Sequence, residues 1–130
     1  MANRRFFQFR FSAEAQVVDL WCNISIGASG APTLTENKNK GISSITRVSA
    51  GIYDIFLSDN YTRLLNAQAV VLVSSGVPTA PIMNVITDSS AAATPKIRVQ
   101  FSDVAASPAA TDPANGDVLL VQLTLKNSSI

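Results

Sequence analysis

Among the residue types that carry acid–base and metal chemistry, this chain has nine carboxylates, one cysteine and no histidine. Without histidine the commonest general base and the commonest metal ligand are missing, and Ser-His-Asp or Cys-His catalysis with them. Cys22 falls on the apolar side of an alternating segment, where a thiol behaves as a small hydrophobe. As the single cysteine it forms no internal disulfide and no multi-cysteine zinc site. The carboxylates are dispersed. Asp54, Asp59, Asp112 and Asp117 could approach pairwise, but no spacing requires the facing pair that glycoside hydrolysis uses. The corner "SDN" at Ser58–Asn60 and the loop "TDPANGD" at Thr111–Asp117 offer oxygen ligands of the kind a hard cation prefers, without the EF-hand spacing. "GASGAP" is no phosphate cradle, because no Gly-Lys-Ser/Thr ending follows it. Trp21 lies on the polar side of its segment with Asn23 and Ser25, and an outward tryptophan marks a contact patch for a sugar or a protein. The residues therefore predict a chain that is not an enzyme, with no cofactor, no metal site and no small-molecule substrate.

The elements that must position these residues are strands. At 130 residues the chain is long enough for one domain, 1–130, to enclose a core without metal or disulfide staples. Charged residues make up 15%, against roughly 25% in an average soluble domain. The formal charge is +1, so little electrostatic repulsion keeps the surface from other proteins, and a subunit of an assembly is expected. A nearly neutral chain also lacks the clustered cations that nucleic-acid binding requires. The one cationic cluster is "NRRFFQFRF", with Arg4, Arg5 and Arg10 among Phe6 and Phe7; residues 1–11 read as a first strand or as a docking arm. The same arginines interrupt what would otherwise resemble a secretory signal, and no stretch approaches the roughly 20 apolar residues that cross a bilayer. Neither a membrane nor nucleic acid is an expected partner, and synthesis in a cytoplasm is expected.

Period-two patterning runs through the chain. In "RRFFQFRF", Phe7, Phe9 and Phe11 share one face, and Phe6, Gln8 and Arg10 the other. In "QVVDLWCNISI" the apolar face is Val18, Leu20, Cys22, Ile24 and Ile26. "ISSITRV" and "GIYDIFL" follow, the second with Tyr53, Ile55 and Leu57 on one side. "AQAVVLVSS", apolar on both faces, reads as a central strand beginning at Ala67. "APIMNVITD", "PKIRVQF" and "DVLLVQLTLK" complete the set; in the last, Leu119, Val121, Leu123 and Leu125 point inward. About eight strands and no long amphipathic helix predict an all-β, single-domain antiparallel β-sandwich, jelly-roll or immunoglobulin-like, with one short helical turn at "SDNYTRLL". Gly27–Gly41 and Ser102–Gly116 read as long connections suited to partner contacts.

"VVDLWCNISIGASGAPTL", "KGISSITRVSAGIYDIFLSDNYTRLL" and "DPANGDVLLVQLTLKNSSI", taken in that order, resemble a group of small tailed-bacteriophage virion proteins. The likeness runs from about Val17 to the end and rests on the order of short motifs, including a Gly-x-Tyr-x-x-x-Leu-x-Asp-x-Tyr-x-x-Leu-Leu unit. In this sequence the unit falls on Gly51, Tyr53, Leu57, Asp59, Tyr61, Leu64 and Leu65. It reads as a structural lid, with Gly51 permitting the turn, Asp59 capping a helical turn, and Tyr61, Leu64 and Leu65 closing the end of the core. The resemblance implies a capsid cement or decoration protein on the virion surface that binds the major capsid protein or another virion protein. It also implies a homo-oligomer, with a trimer favoured. A tail, head-fibre or baseplate adaptor is the alternative role, and a carbohydrate-binding module a further one. The contacts would run through Arg4, Arg5, Phe6, Phe7, Arg10 and Trp21.

Overall fold

Alternating side chains build strands along most of the chain. The computed structural model describes residues 17–36 and 41–127. Its strands are β1 (Val17–Ile26), β2 (Pro32–Glu36), β3 (Ile42–Ser49), β4 (Ile52–Leu57), β5 (Arg63–Leu72), β6 (Ile82–Ser89), β7 (Lys96–Ser102) and β8 (Val118–Lys126). They form two antiparallel four-stranded sheets, ordered β2-β1-β8-β5 and β3-β4-β7-β6. The result is the eight-stranded all-β sandwich that the patterning implies.

Each strand that alternates cleanly sends its apolar set inward. Cys22 and Ile24 of β1, Tyr53 and Ile55 of β4, Ile97, Val99 and Phe101 of β7, and Leu119, Val121, Leu123 and Leu125 of β8 are all buried in one core. Removing an aliphatic side chain of this size from water is worth about 1.5–3 kcal/mol, so β1, β4, β7 and β8 carry most of the cohesion. Tyr53 and Phe101 meet edge to face at 5.9 Å between ring centroids, a favoured arrangement of their quadrupoles.

Three features differ from the sequence-based expectation. "SDNYTRLL" contains no helical turn; among the described residues the one short helix is a 3-10 turn at Ala28–Gly30. The backbone N–H groups of this corner find partners elsewhere in the chain. Tyr61 N–H donates to the Ser90 carbonyl, Thr62 N–H to the Lys126 carbonyl, and Leu64 N–H to Asp88. The connection Gly27–Gly41 holds a strand of its own, β2, paired with the end of β1. Finally β5 starts at Arg63 rather than Ala67 and, among the described strands, stands at the edge of its sheet, not in the centre. Among the described residues no third layer covers the apolar side chains of its second face, and Val70 and Leu72 are exposed. The segment "RRFFQFRF", with Arg4, Arg5, Phe6, Phe7 and Arg10, lies outside the described residues.

Candidate functional site

The carboxylates singled out by sequence fall into separate clusters, each with its own partners. Asp112 lies between three elements. Its Oδ1 accepts from Gly51 N–H at 2.8 Å and from Arg47 Nε at 3.0 Å, and its Oδ2 accepts from an Arg47 terminal nitrogen at 2.7 Å. The Tyr53 hydroxyl, 3.0 Å from both Asp112 Oδ1 and the Gly30 carbonyl, shares its proton between them. Hydrogen bonding from Arg47, opposed by burial and helped by Gly51 and Tyr53, pulls the Asp112 pKa down to about 2. Such a carboxylate stays ionised at neutral pH with its lone pairs occupied. It is a clasp rather than a proton donor.

The backbone around the clasp is shaped to admit it. Gly51 has φ +69°, and a Cβ there would lie 2.5 Å from Thr111 N and 2.6 Å from the Phe101 carbonyl oxygen. At Gly30, with φ +72°, a Cβ would lie 2.5 Å from Asp112 Cγ. Both positions need glycine for conformation and for space.

Asp54, on the outer face of the β3-β4-β7-β6 sheet, is nearly enclosed by two cations. Arg98 binds it in a fork at 2.7 and 2.9 Å, and Lys96 adds a contact at 2.8 Å. The Arg98 hydrogen bonds lead in holding its pKa below the ordinary value, against the opposing effect of burial. Lys96 also stands over the Phe56 ring at 5.6 Å, so this face is charged and internally paired. Asp117, fully buried, accepts from the N–H and hydroxyl of Ser74. Asp59 is exposed and caps no helix. Among the described residues no group of three His, Cys, Asp or Glu could hold a metal ion.

The other outer face has a different character. Along the β2-β1-β8-β5 sheet the register aligns Trp21 with Gln122 and Gln68, Asn23 with Leu120 and Val70, and Ser25 with Val118 and Leu72. Trp21 is 54% exposed, Val70 65%, Leu72 57% and Leu120 38%. Trp21, Leu120 and Val70 line an open hollow of about 510 Å³, bordered by the amides of Asn23, Gln68 and Gln122. Trp21 was legible in the sequence as an outward residue; Val70, Leu72 and Leu120 were not, because each lies in a run apolar on both faces. Such a run, read as a strand with one uncovered face, is the signal that could have found them.

The motif residues occupy distinct places. Gly51, Tyr53 and Leu57 lie at the start, in the middle and at the end of the β4 segment, with Tyr53 and Leu57 buried. Tyr61 joins the core beside them, and burial raises its pKa with a contribution from Asp59. Asn60 pins the same corner by donating to the Ala92 carbonyl. Leu64 is half-buried against the core, whereas Leu65 is exposed at an irregularity in β5. The closure of this end thus rests on Tyr61 and Leu64, without Asp59 or Leu65. Cys22 is buried, which pushes its thiol up to about 12. Comparison with protein-family models, with curated proteins and with solved structures finds no match to this chain.

Proposed function

We propose that this chain is a non-catalytic structural subunit of a tailed-bacteriophage particle. Its leading role is that of a capsid cement or decoration protein, bound to the major capsid protein on the virion surface and assembled as a homo-oligomer, with a trimer favoured. Tail, head-fibre or baseplate attachment is the alternative position within the same particle. The ordered motifs that run from about Val17 to the end of the sequence support the phage assignment. The observation that carries the interaction role is the contrast between the two outer faces. One pairs its charges within itself around Asp54 and exposes Val48, Ile82 and Ile86 along its two edge strands, whereas the other gathers Trp21, Val70 and Leu120 of three adjacent strands around one hollow, with Leu72 beside it. Contiguous exposed apolar residues of this kind mark docking surfaces, and a central tryptophan is a frequent anchor of binding energy.

The test is co-sedimentation of the purified protein with heads of the phage that encodes it, alongside immunogold labelling of intact virions. Val70→Lys combined with Leu120→Lys is expected to lower head binding at least tenfold while leaving the circular dichroism spectrum unchanged. Binding unaffected by both lysines would remove this face from the interaction, and virions without label would end the virion assignment. A second reading has one specific observation in its favour: the amides of Asn23, Gln68 and Gln122 beside Trp21 could hydrogen-bond a sugar stacked on the indole. Glycan-array binding lost in Trp21→Ala would support that reading, and an array without signal removes it.

A further inference from the structure

The loop that leads into β8 closes with a turn whose sequence carries a chemistry of its own. Asp117 N–H donates to the Ala114 carbonyl at 3.1 Å, so Ala114–Asp117 form a β-turn with Asn115 and Gly116 at its centre. Gly116 has φ +91°, the positive value that the third position of a type II turn demands. A Cβ there would lie 3.2 Å from Ser74 Cβ, so glycine suits the space as well as the conformation. Asn115 is the one asparagine in the sequence that is followed by glycine. Asparagine is thermally labile, and most so in this pairing, because no side chain shields the glycine nitrogen from the neighbouring carboxamide. Both residues are exposed.

A hydrogen bond holds that nitrogen back. Gly116 N–H donates to the Ile26 carbonyl at 2.8 Å, and Ile26 N–H donates to the Asp117 carbonyl at 2.9 Å. These two bonds continue the β1–β8 ladder past the pair Ser25 and Val118. Asp117, fully buried, fixes the same corner by accepting from Ser74 N–H at 3.0 Å and from the Ser74 hydroxyl at 3.2 Å. An amide proton engaged in this way is lost to solvent base only when the bond opens. The ladder also keeps the nitrogen from swinging towards the side chain of Asn115.

We infer that Asn115–Gly116 is a latent self-modification site, held unreactive by the Ile26 carbonyl and released when this end of the β1–β8 ladder opens. In the open chain Gly116 N gives up its proton to solvent base and attacks Asn115 Cγ. A new C–N bond forms, the carboxamide C–N bond breaks, and the carboxamide nitrogen takes up a proton and leaves as ammonia. The product is a succinimide spanning the two residues. Water then opens the ring at either carbonyl, leaving aspartate or isoaspartate at position 115, and nothing is oxidised or reduced. Either outcome sets a negative charge two residues from buried Asp117. Isoaspartate also lengthens the backbone of the turn, so that Gly116 and Asp117 no longer meet Ile26 and Ser74 in the same register. Opening of this corner is thereby recorded irreversibly in the chain. The inference goes beyond the proposed virion role and does not depend on it, because its test uses the isolated protein.

The experiment incubates the intact chain at neutral pH across a urea series, from native buffer to full unfolding, and follows two rates. Peptide mass mapping reads the amide-to-acid conversion at Asn115, and isoaspartyl methyltransferase labelling identifies the isoaspartate. Amide hydrogen exchange reads the opening of Gly116 N–H in the same solutions. Conversion in native buffer is expected to be at least roughly 100-fold slower than in the unfolded chain. Below the unfolding transition, urea should raise conversion and Gly116 exchange by the same factor. Conversion as fast in native buffer as in the unfolded chain would overturn the inference, as would an unfolded chain that stays unmodified at Asn115. Slow native conversion that does not follow Gly116 exchange would assign the protection to something other than the bond to Ile26, and would equally overturn it.

Discussion

At the scale of single residues, several polar side chains among the described residues hold connections in place. Asp112 joins Arg47 of β3, Gly51 at the head of β4 and Tyr53 within it. Its folded pKa of about 2 lies below the ordinary 3.8, so the native state binds fewer protons than the unfolded chain between those values. The stability it contributes is therefore complete above pH 3.8 and is lost as the pH falls towards 2. Asp112→Asn is expected to lower stability by about 1–3 kcal/mol at pH 7, a gap that narrows on acidification and closes near pH 2; urea denaturation across that range measures it. Gly51→Ala meets both a positive φ and backbone atoms nearer than 3 Å. A loss of more than about 2 kcal/mol is expected, read as a shift in the urea midpoint. Cys22, buried and with its thiol pushed up to about 12, should resist alkylation in the native protein and react once denaturant unfolds it. Rapid labelling of the native state would contradict its place in the core.

At the scale of elements, strands differ in how plainly their sequences announce them. β7 and β8 alternate with few exceptions, and their inward sets, Ile97, Val99, Phe101 and Leu119 to Leu125, are buried as the pattern requires. Leu123→Ala in β8 removes a fully buried side chain between β1 and β5, and should cost about 2–5 kcal/mol, measurable by thermal or urea unfolding. β5 is less plain. Its run "AVVLV" is apolar on both faces, a pattern shared by a central strand and by an edge strand whose outer side chains lack a covering layer. The segment "SDNYTRLL" misleads for a related reason. Asp59 reads as the cap of a helical turn, but hydrogen bonds to Ser90, Lys126 and Asp88 draw this backbone into the sandwich. Those acceptors are distant in sequence, so no local pattern could reveal them. The strand β2 was hidden in the same way, since its five residues are ordered by pairing with the end of β1.

At the scale of the whole molecule, the two sheets turn unlike faces outward. One pairs its charges around Asp54 and is suited to water, while the other carries the hollow beside Trp21. Charge placed on the second face should alter association without altering the fold. Val70→Lys with Leu120→Lys, which sets like charges on directly paired positions, is expected to lower stability by about 1–2 kcal/mol, while reducing self-association in analytical ultracentrifugation if the homo-oligomer forms through this face.

The alternation of side chains was enough to determine the fold class, the inward sets of β1, β4, β7 and β8 and the outward direction of Trp21, because period-two burial is a local property of each strand. The order of the strands, the edge position of β5 and the meeting of Arg47, Gly51, Tyr53 and Asp112 were decided by tertiary structure alone. Those depend on which backbone groups pair across tens of residues, and on glycines at positions 30 and 51 that let the chain approach closely enough for the clasp to form. Nothing in the neighbouring sequence of any one of these residues specifies the others.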